Sequence, residues 1–442
     1  TGLVPVYLHE RFQADEFYRG IKTVMTIHNL KFQGIWDRKT IQSITGLSDY
    51  YFTPDKLEFK HDASYLKGGL VYADAITTVS NTYAQEIQTP FYGEGLDGLM
   101  CARANDLRGI VNGLNYNEWN PETDAQIAKN FNVKNFRKEK VKNKLALQEE
   151  LGLEVNPKTM MIGIVSRLTD QKGFDLISYM MDEMCQDAVQ FVILGTGEER
   201  YENMFRHFAW KYDKKVSANI YYSDAMSHKI YASCDAFLMP SLFEPCGLSQ
   251  LMSLRYGTLP IVRETGGLKD TVEPYNEYEG TGTGFSFTNY NAHEMLAIIR
   301  YAKKTYFNDR KAWNEMVLRA MKQDFSWDAS AREYEKLYDG LIEEEERRKE
   351  AIRLQQAREA AEAALKEAEK ALELAKRAEE KAIRKFSGIE DDPEDEKAEI
   401  SKAEEIDETP EAAPESEEVT EVLETPETPE TPEKAEETAV EE

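Results

Sequence analysis

Short apolar runs that each lead into a stretch of helical period recur through the first three quarters of the chain. In the first region they are Val24–Ile27 and the run "VYADAITTVS", which ends on Ser80 with a helix after it. In the second region they are "MMIGIVSRL", "QFVILGTGEE", "SANIYYSD", "AFLMPS" and "LPIVRETGG". Buried strands that alternate with helices predict an α/β fold with a parallel, doubly wound sheet. The second region, of roughly 215 residues by its pattern, is therefore predicted to be Rossmann-like.

The pattern changes after residue 342, where Ala, Glu, Lys and Arg dominate. A long helix is predicted over 343–386, with pairs such as Glu362 and Lys366 at i,i+4. Its seam steps by three and four residues through Leu354, Ala357, Ala361, Ala364, Ala368, Ala371, Ala375, Ala378 and Ala382. Alanine buries little area, so a solvated single helix and a coiled coil that joins two copies both remain open. Residues 387–442 are acidic, repeat "ETP" and are predicted to be disordered.

Charge separates these two parts of the chain. The net charge is −27, and residues 341–442 carry 36 acids against 15 bases, whereas residues 1–340 carry 45 against 39. No basic patch suggests nucleic acid, and no run of eighteen apolar residues suggests a membrane span. The four cysteines are far apart and form no CxxC pair, so neither a zinc site nor a disulfide scaffold is indicated, and a cytoplasmic location is expected.

One acid stands at a predicted strand end. Glu244 follows the apolar run Ala236–Met239 and precedes a helical period, so it is placed at the carboxyl edge of the sheet, where open α/β sheets bind ligands. The helix after Gly247 and Ser249 would offer free N–H groups to an anion. A helix-capping acid beside a Pro-Gly turn is the alternative for Glu244.

Two cations and a glycine turn are predicted at the same edge. Arg167 and Lys172 follow the strand 161–165, and a planar guanidinium with an ammonium suits a pyrophosphate leaving group. Solvated surface cations are the alternative. Gly195 and Gly197 in "LGTGEER" would allow a close backbone approach to a ligand, although such turns need glycine for structural reasons as often. A third glycine for the NAD fingerprint is missing, which disfavours hydride chemistry.

Several motifs together resemble those of the bacterial glycogen synthase and plant starch synthase family. They are "TIHNLKFQG", "FYGEGLDGLM", "VNGLNYNEWNPETD", "VSRLTDQKG", "ILGTGE", "YSDAMSHKIYASCDAFLMPSLFEPCGL" and "RYGTLPIVRETGGLKDTV", and the resemblance runs from residue 1 to about 342. It implies a GT-B fold of two Rossmann-like domains that face a cleft. The expected boundaries are 1–110, 111–323 and a closing helix 324–342 that returns to the first domain, followed by 343–386 and 387–442. The implied reaction moves glucose from a nucleotide sugar, usually ADP-glucose, to the non-reducing end of an α-1,4-glucan with retention, without a metal or other cofactor. The sequence leaves the preference between ADP-glucose and UDP-glucose open.

The resemblance also implies roles for individual residues. Glu244 resembles the active-site acid that faces the glucosyl ring, Arg167 and Lys172 would hold the diphosphate, and His28 would reach the sugar from the first domain. The implied substrate-binding residues are Asn29, Asn112, Gly195, Thr196, Gly197, Tyr222 near the base, Cys246, Gly247, Leu248, Ser249, Thr265 and Gly266. Met252 occupies the position where many wider relatives carry a second acid, which puts a ribose contact by a carboxylate in doubt.

Two further questions, the mechanism of transfer and the function itself, stay open in the sequence. A front-face transfer, in which Glu244 stabilises the sugar rather than attacks it, is favoured over a double displacement. A non-catalytic binding or scaffolding protein that uses its helical, acidic tail is the alternative function.

The chain begins at "TGLVPVYL" without Met or a signal-like core, and the family's Lys-x-Gly-Gly loop would precede this point. The chain is therefore expected to be a fragment that is inactive in isolation.

Overall fold

A computed structural model describes residues 1–388. The chain divides into two compact units, of which the first is Thr1–Glu350 and the second begins at Ala351. Within the described residues no helix combines the length and the apolar character needed to cross a membrane.

The first region folds around a small parallel sheet. Its strands are β1 (Val24–Ile27), β2 (Ile35–Trp36), β3 (Glu58–Phe59), β4 (Asp62–Ser64), β5 (Ala75–Thr78) and β6 (Leu107–Gly109). Its helices are α1 (Leu3–Tyr7), α2 (Glu16–Arg19), α3 (Arg38–Thr45), α4 (Tyr65–Tyr72), α5 (Asn81–Glu86) and α6 (Asp97–Ala102), with a π turn at Leu8–Phe12 and a 3₁₀ turn at Asp49–Tyr51. The parallel order is β1-β5-β6, and β2-β4-β3 form an antiparallel sheet. The predicted strand Val24–Ile27 is confirmed, and the helix expected after Ser80 is α5, whose N-cap is Ser80.

The second region holds a larger sheet. Its strands are β7 (Met160–Val165), β8 (Val189–Leu194), β9 (Val216–Asn219), β10 (Ala236–Met239), β11 (Leu259–Arg263) and β12 (Phe285–Phe287). Its helices are α7 (Phe136–Glu150), α8 (Phe174–Gln186), α9 (Glu199–Lys211), α10 (Asp224–Ser233), α11 (Ser249–Arg255), α12 (Gly266–Thr271), α13 (Ala292–Asn308) and α14 (Arg310–Lys322), with a 3₁₀ turn at Asp170–Lys172. All neighbouring strands are parallel in the order β12-β11-β10-β7-β8-β9. The predicted doubly wound sheet is confirmed.

We call residues 1–110 the first domain and residues 111–323 the second domain. The two parallel sheets lie on either side of this boundary, yet residues 1–350 form one compact unit, so the boundary itself stays a prediction. The largest apolar core surrounds the second sheet, where strands such as β8 are buried at every position. Burial on both faces explains why those strands read as continuous apolar runs.

The closing helix and the charged helix form one element, α15 (Trp327–Phe386), of 60 residues. The predicted division at 342 and 343 therefore does not coincide with a helix end, because this stretch contains no helix-breaking Pro and every turn continues the last. Glu345, which is 5 % exposed, forms ion pairs with Lys22 of the first domain and with Arg348. Contacts with the first domain thus extend past residue 342. From residue 351 to 388 every side chain is exposed, and the predicted tail 387–442 lies almost wholly outside the described residues.

Candidate active site

The sheet order brings the predicted ligand edge together. β11, β10, β7 and β8 are neighbours, and the loops that follow them carry Thr265, Glu244, Lys172 and Gly195 respectively. Parallel strands end at the same edge, so residues that lie up to a hundred positions apart in sequence meet there.

Glu244 is the buried acid of this edge. Its side chain is held in a loop five residues after β10 and is 7 % exposed. Its Oε2 atom lies 2.5 Å from Nζ of Lys172 and accepts a hydrogen bond from Oγ of Ser241 at 3.2 Å. An ion pair with a neighbouring cation compensates the burial of the carboxylate. The arrangement does not support the helix-capping alternative, since its acceptor oxygen faces a lysine and a serine.

The position of Lys172 is set by the 3₁₀ turn Asp170–Lys172. The turn ends at Gly173, whose φ of +75° is left-handed and whose Cβ, if present, would lie 2.1 Å from the carbonyl oxygen of Pro240. The backbone of Leu242 donates to the carbonyl of Gln171, and the side chain of Gln171 donates to the carbonyl of Phe243. Only glycine permits this close approach of the 3₁₀ turn to the backbone of Pro240. The approach holds the ammonium of Lys172 next to Glu244.

Arg167 remains available to a ligand. Its side chain is exposed, and within residues 1–388 its guanidinium has neither an ion pair nor a hydrogen bond. The two predicted phosphate cations thus differ in this structure, because Lys172 is paired with Glu244 whereas Arg167 is unpaired. An unpaired fork of donors at this edge is suited to an anionic oxygen.

The glycine turn after β8 packs against the loop that carries Arg167. Leu168 donates its backbone N–H to the carbonyl of Thr196, and Glu198 donates to the carbonyl of Leu168. A Cβ on Gly195 would lie 1.9 Å from the carbonyl oxygen of Ser166, and one on Gly197 would lie 2.3 Å from that of Leu168. The structural reason for both glycines is therefore present, and their role in lining a nucleotide pocket stays a prediction together with that of exposed Thr196.

The loop after Glu244 leads into a short helix. The helix α11 begins at Ser249 and has seven residues, Leu248 stands at its N-cap without a side-chain cap, and Gly247 has a φ of +72°. Cys246 is buried, which raises the pKa of its thiol to about 11, while hydrogen bonds from Asn112 oppose that rise. The thiol is therefore neutral near pH 7, and Asn112 is brought to the site through its contact with Cys246.

A carboxylate from the first domain occupies the start of α12. Oε1 of Glu86 accepts hydrogen bonds from Oγ1 of Thr265 at 2.8 Å and from the backbone N–H of Gly266 at 3.1 Å. These are the two residues predicted to bind the phosphate side. Burial raises the pKa of Glu86, an effect that the two hydrogen bonds oppose. Sequence reasoning missed Glu86, because nothing in "YAQEI" distinguishes it from an exposed acid of a surface helix.

Other polar contacts also join the first domain to the second domain. Thr82 donates its backbone N–H and its hydroxyl to the carboxylate of Asp270. Arg263 donates to the hydroxyl of Tyr92 at 3.2 Å and to the carbonyl of Ser241 at 2.8 Å. A connected path of polar contacts therefore runs from the first domain to the loop that holds Glu244.

His28 and Asn29 follow β1, as predicted. His28 is exposed, and Oδ1 of Asn29 accepts a hydrogen bond from the backbone of Lys31 at 3.1 Å. Asn29 lines a cavity of about 160 Å³ whose wall also includes Tyr83 of the first domain and Phe243 of the second. This cavity lies between the two domains, next to the loop of Glu244, and of the two predicted first-domain residues only Asn29 lines it.

Two features lie apart from this arrangement. Tyr222 is 88 % exposed in the loop before α10, and its stacking with a base stays a prediction. A larger cavity of about 810 Å³ is lined by α5, β6 and α15 and includes none of the predicted site residues. Cavity size therefore does not mark the candidate site, whereas the convergence of strand ends does.

Comparisons with known proteins agree with this geometry. Residues 1–102 match the family described as starch synthase catalytic domain, and residues 149–317 match glycosyl transferases group 1. The chain is 72 % identical over 341 residues to the glycogen synthase of Lachnospira eligens, covering 77 % of this chain and 71 % of that protein. It is 51 % identical over 342 residues to the glycogen synthase of Clostridium acetobutylicum, covering 77 % and 72 %.

A solved structure shares the fold. The catalytic domain of starch synthase IV from Arabidopsis thaliana, bound to ADP and acarbose, is 32 % identical with a TM-score of 0.72, and the match covers 78 % of this chain and 71 % of that one. These relatives are synthases, which disfavours the alternative of a non-catalytic scaffolding protein. With a GT-B fold and this identity over most of its length, the chain belongs to the glycogen synthase and starch synthase family of glycosyltransferases.

Proposed function

We propose that this protein transfers glucose from ADP-glucose to the non-reducing end of an α-1,4-glucan with retention of configuration. The observation that carries the proposal is Glu244, a buried carboxylate at the ligand edge of the second sheet, paired with Lys172 at 2.5 Å. The names of the relatives and the ADP bound to the Arabidopsis starch synthase support both the reaction and the nucleotide.

The cations of the edge act on the leaving group. As the bond between the sugar and the diphosphate breaks, negative charge develops on the departing phosphate oxygen. Arg167 has a free fork of donors for that oxygen, and Lys172 can share its three N–H donors between the phosphate and Glu244. Cations that are already in position stabilise the developing charge without reorganisation.

Glu244 acts on the sugar. The breaking bond leaves positive charge at the anomeric carbon, and a buried carboxylate stabilises that charge more strongly than an exposed one. We propose a front-face transfer, in which the acceptor hydroxyl forms its bond on the face that the phosphate leaves. The hydroxyl proton passes to the departing phosphate, so Glu244 forms no covalent bond. Its Oε2 atom already accepts from both Lys172 and Ser241, which favours this role over nucleophilic attack.

The remaining predicted residues surround the donor and the acceptor. Backbone groups of Cys246, Gly247, Leu248 and Ser249 approach the diphosphate, Tyr222 approaches the base, and His28 with Asn29 approaches the sugar from the first domain. We propose that the transfer needs no metal, because side-chain cations and backbone N–H groups neutralise the diphosphate. Chelation of divalent ions with EDTA is expected to leave the rate of transfer unchanged.

The C-terminal part of α15 supports a separate proposal. Residues 343–386 carry the alanine seam and exposed apolar side chains such as Leu365 and Leu372. We propose that two copies associate through this segment as a coiled coil. Sedimentation of the chain against a version that ends at residue 350 measures this directly, and equal monomer masses across a concentration series would show that the helix is solvated and single.

The transfer is tested by binding first and by chemistry second. Calorimetric titration with ADP and with UDP compares the two nucleotides, and ADP is expected to bind at least ten times more tightly. Incorporation of labelled glucose from ADP-glucose into glycogen is then measured with the full-length gene product. Nucleotide binding without incorporation into glycogen or maltooligosaccharides in that protein would refute the proposed acceptor.

A further inference from the structure

A buried histidine in the second domain has one ring nitrogen without a partner. His228 lies in α10 and is 1 % exposed, and its Nε2 atom has no hydrogen bond within the described residues. Trp119 stacks on the ring with centroids 3.9 Å apart and planes 12° apart. The stacking fixes the ring, so the unpaired nitrogen has a defined direction.

The other ring nitrogen determines which tautomer is present. Nδ1 lies 2.7 Å from Oδ2 of Asp124, and the same oxygen accepts a hydrogen bond from the hydroxyl of Tyr256 at 2.6 Å. A carboxylate that accepts from Nδ1–H leaves the lone pair on Nε2, which is the arrangement that proteins use to orient histidines that bind metals.

Two carboxylates lie near this histidine. Oδ2 of Asp224 lies 3.7 Å from Nε2, and one ligand atom each from Glu118, Asp224 and His228 lie within 4.8 Å of one another. A separation of 3.7 Å is too long for a hydrogen bond. Two ligands bound at about 2.0–2.1 Å to one tetrahedral ion lie about 3.3 Å apart, so a small inward movement is sufficient. Both acids are exposed, which gives an ion access from solvent.

We propose that Glu118, Asp224 and His228 bind one divalent transition-metal ion, of which Zn²⁺ is the best fit. One imidazole and two carboxylates suit this borderline ion, and water would complete the coordination. The ion would join the segment around Glu118, which follows the first domain, to the start of α10. Its role is structural and separate from the transfer, since none of the three ligands belongs to the residues at the edge of Glu244.

An imidazolium held between Asp124 and Asp224 is the competing state. It would explain the approach of Asp124 and Asp224 to the ring without any ion, because both ring nitrogens would then carry a proton and the positive ring would attract both carboxylates. The two states differ in their response to metal, so metal binding decides between them.

The experiment uses the chain without an affinity tag, stripped of metal, in a Cys101→Ser background, because Cys101 is the exposed thiol among the described cysteines. Zn²⁺ is titrated by calorimetry, and Co²⁺ is followed by its visible absorption. About one ion per chain is expected, with a Co²⁺ spectrum of tetrahedral or five-coordinate type and a rise in Tm on addition of Zn²⁺.

The exposed acids provide variants that keep the fold. Asp224→Asn and Glu118→Gln are expected each to weaken Zn²⁺ binding at least tenfold and to remove the rise in Tm. Asp213→Asn and Glu122→Gln, exposed acids outside the cluster, serve as matched controls and are expected to behave like the parent. Equal Zn²⁺ binding by the parent and the double variant Glu118→Gln, Asp224→Asn would overturn the proposal, as would an ¹⁵N signal of protonated Nε2 in the presence of saturating Zn²⁺.

Discussion

The two domains differ in how firmly they hold the residues that they offer to the cleft. Every position of β8 in the second domain is buried, whereas only Ile27 of β1 in the first domain is buried. Glu244 and Lys172 follow strands of the six-stranded sheet and are held against each other, but His28 follows β1 and is exposed. A deeply buried sheet immobilises the ends of its strands, and a preorganised charge stabilises a transition state better than a mobile one. The difference is consistent with the proposal that the charged groups of the second domain carry the chemistry.

Two acids of the cleft, buried Glu244 and half-buried Glu86, repeat this contrast. Glu244 is compensated by a cation, whereas Glu86 is bound by the hydroxyl of Thr265 and the N–H of Gly266, which are neutral donors. The first domain therefore contacts the second through an acid that is bound by neutral donors, whereas Glu244 is paired with a cation.

Substitution of Glu244 is the strongest test of this contrast. Glu244→Gln keeps the size and the hydrogen bonds of the side chain but removes its charge, so kcat of the full-length gene product is expected to fall by about 100-fold or more, while ADP binding changes little. Glu264→Gln, an acid in the loop after β11, is the matched control and is expected to keep activity. Kinetics and calorimetry provide the two readouts. A kcat of Glu244→Gln within threefold of the parent would contradict the assignment.

Arg167 is expected to have the next largest effect. Arg167→Ala removes an unpaired guanidinium. Loss of a hydrogen bond to a charged group costs about 1.5–3 kcal/mol, so the affinity for ADP is expected to fall by about 10- to 100-fold. Arg167→Lys should recover part of this loss, because it keeps the charge and loses the fork. Arg206→Ala, which removes an exposed arginine of α9, controls for net charge. Unchanged ADP affinity in Arg167→Ala would show that Arg167 is a solvated surface residue.

The ion pair between Lys22 and Glu345 tests how the first domain is held by α15. A chain that ends at residue 350 is expected to melt like the parent, whereas one that ends at residue 342 should lose about 1 kcal/mol and melt about 2–4 °C lower. Glu345→Gln should reproduce the loss, and the exposed neighbour Glu346→Gln should not. Identical melting of both truncated chains would show that the contact is neutral.

The ion pairs of Glu345 with Arg348 and Lys22 have a pH dependence of known sign. A hydrogen bond from Arg348 contributes most to lowering the pKa of Glu345 from its ordinary 4.5 to about 2. A carboxylate with a lowered pKa in the folded state stabilises the protein above pH 4.5, and this stabilisation is lost as the pH falls toward 2. The difference in Tm between the parent and Glu345→Gln should therefore shrink over that range, and a constant difference would argue against the pair.

Glu86 is expected to give the smallest effect, with the opposite sign. Burial raises its pKa above 4.5, so the folded state binds more protons than the unfolded state just above that pH, and stability falls as the pH rises through this window. Glu86→Gln keeps an acceptor for Thr265 and Gly266 without the charge. The Tm of Glu86→Gln minus the Tm of the parent should therefore increase from pH 4 to pH 7. A difference that stays constant over this range would show that Glu86 behaves as an exposed acid.

Much of the second domain could be predicted because its local pattern and its tertiary structure agree. The runs that became β7, β8, β10 and β11 are apolar at almost every position, as burial on both faces requires, and a parallel sheet places their following loops at one edge. The positions of Glu244, Lys172 and Gly195 follow from that rule. Arg167 follows β7 for the same reason, although its lack of a partner within the described residues could not be read from its neighbours in sequence.

Features that depend on contacts between distant segments could not be predicted. The pairing of Lys172 with Glu244 joins residues 72 positions apart, and Glu86 meets Thr265 across 179 positions. The start of α12 was expected to face a phosphate, yet a carboxylate of the first domain lies there in this structure. The end of the docked part of α15 was placed at 342, because Glu345 resembles the other acids of a run of four.

The amino-acid sequence by itself determined the elements, the parallel sheet of the second domain, the family and the edge at which the predicted chemistry lies. These follow from periodicity, strand-end residues and ordered motifs, which are properties of neighbouring positions. Only the tertiary structure decided which charges are paired, which glycines are forced by a crossing backbone and which nitrogen of His228 is left without a partner. Such properties depend on burial and on distances between segments far apart in the chain, and a side chain acquires its electrostatic environment only when those segments pack together.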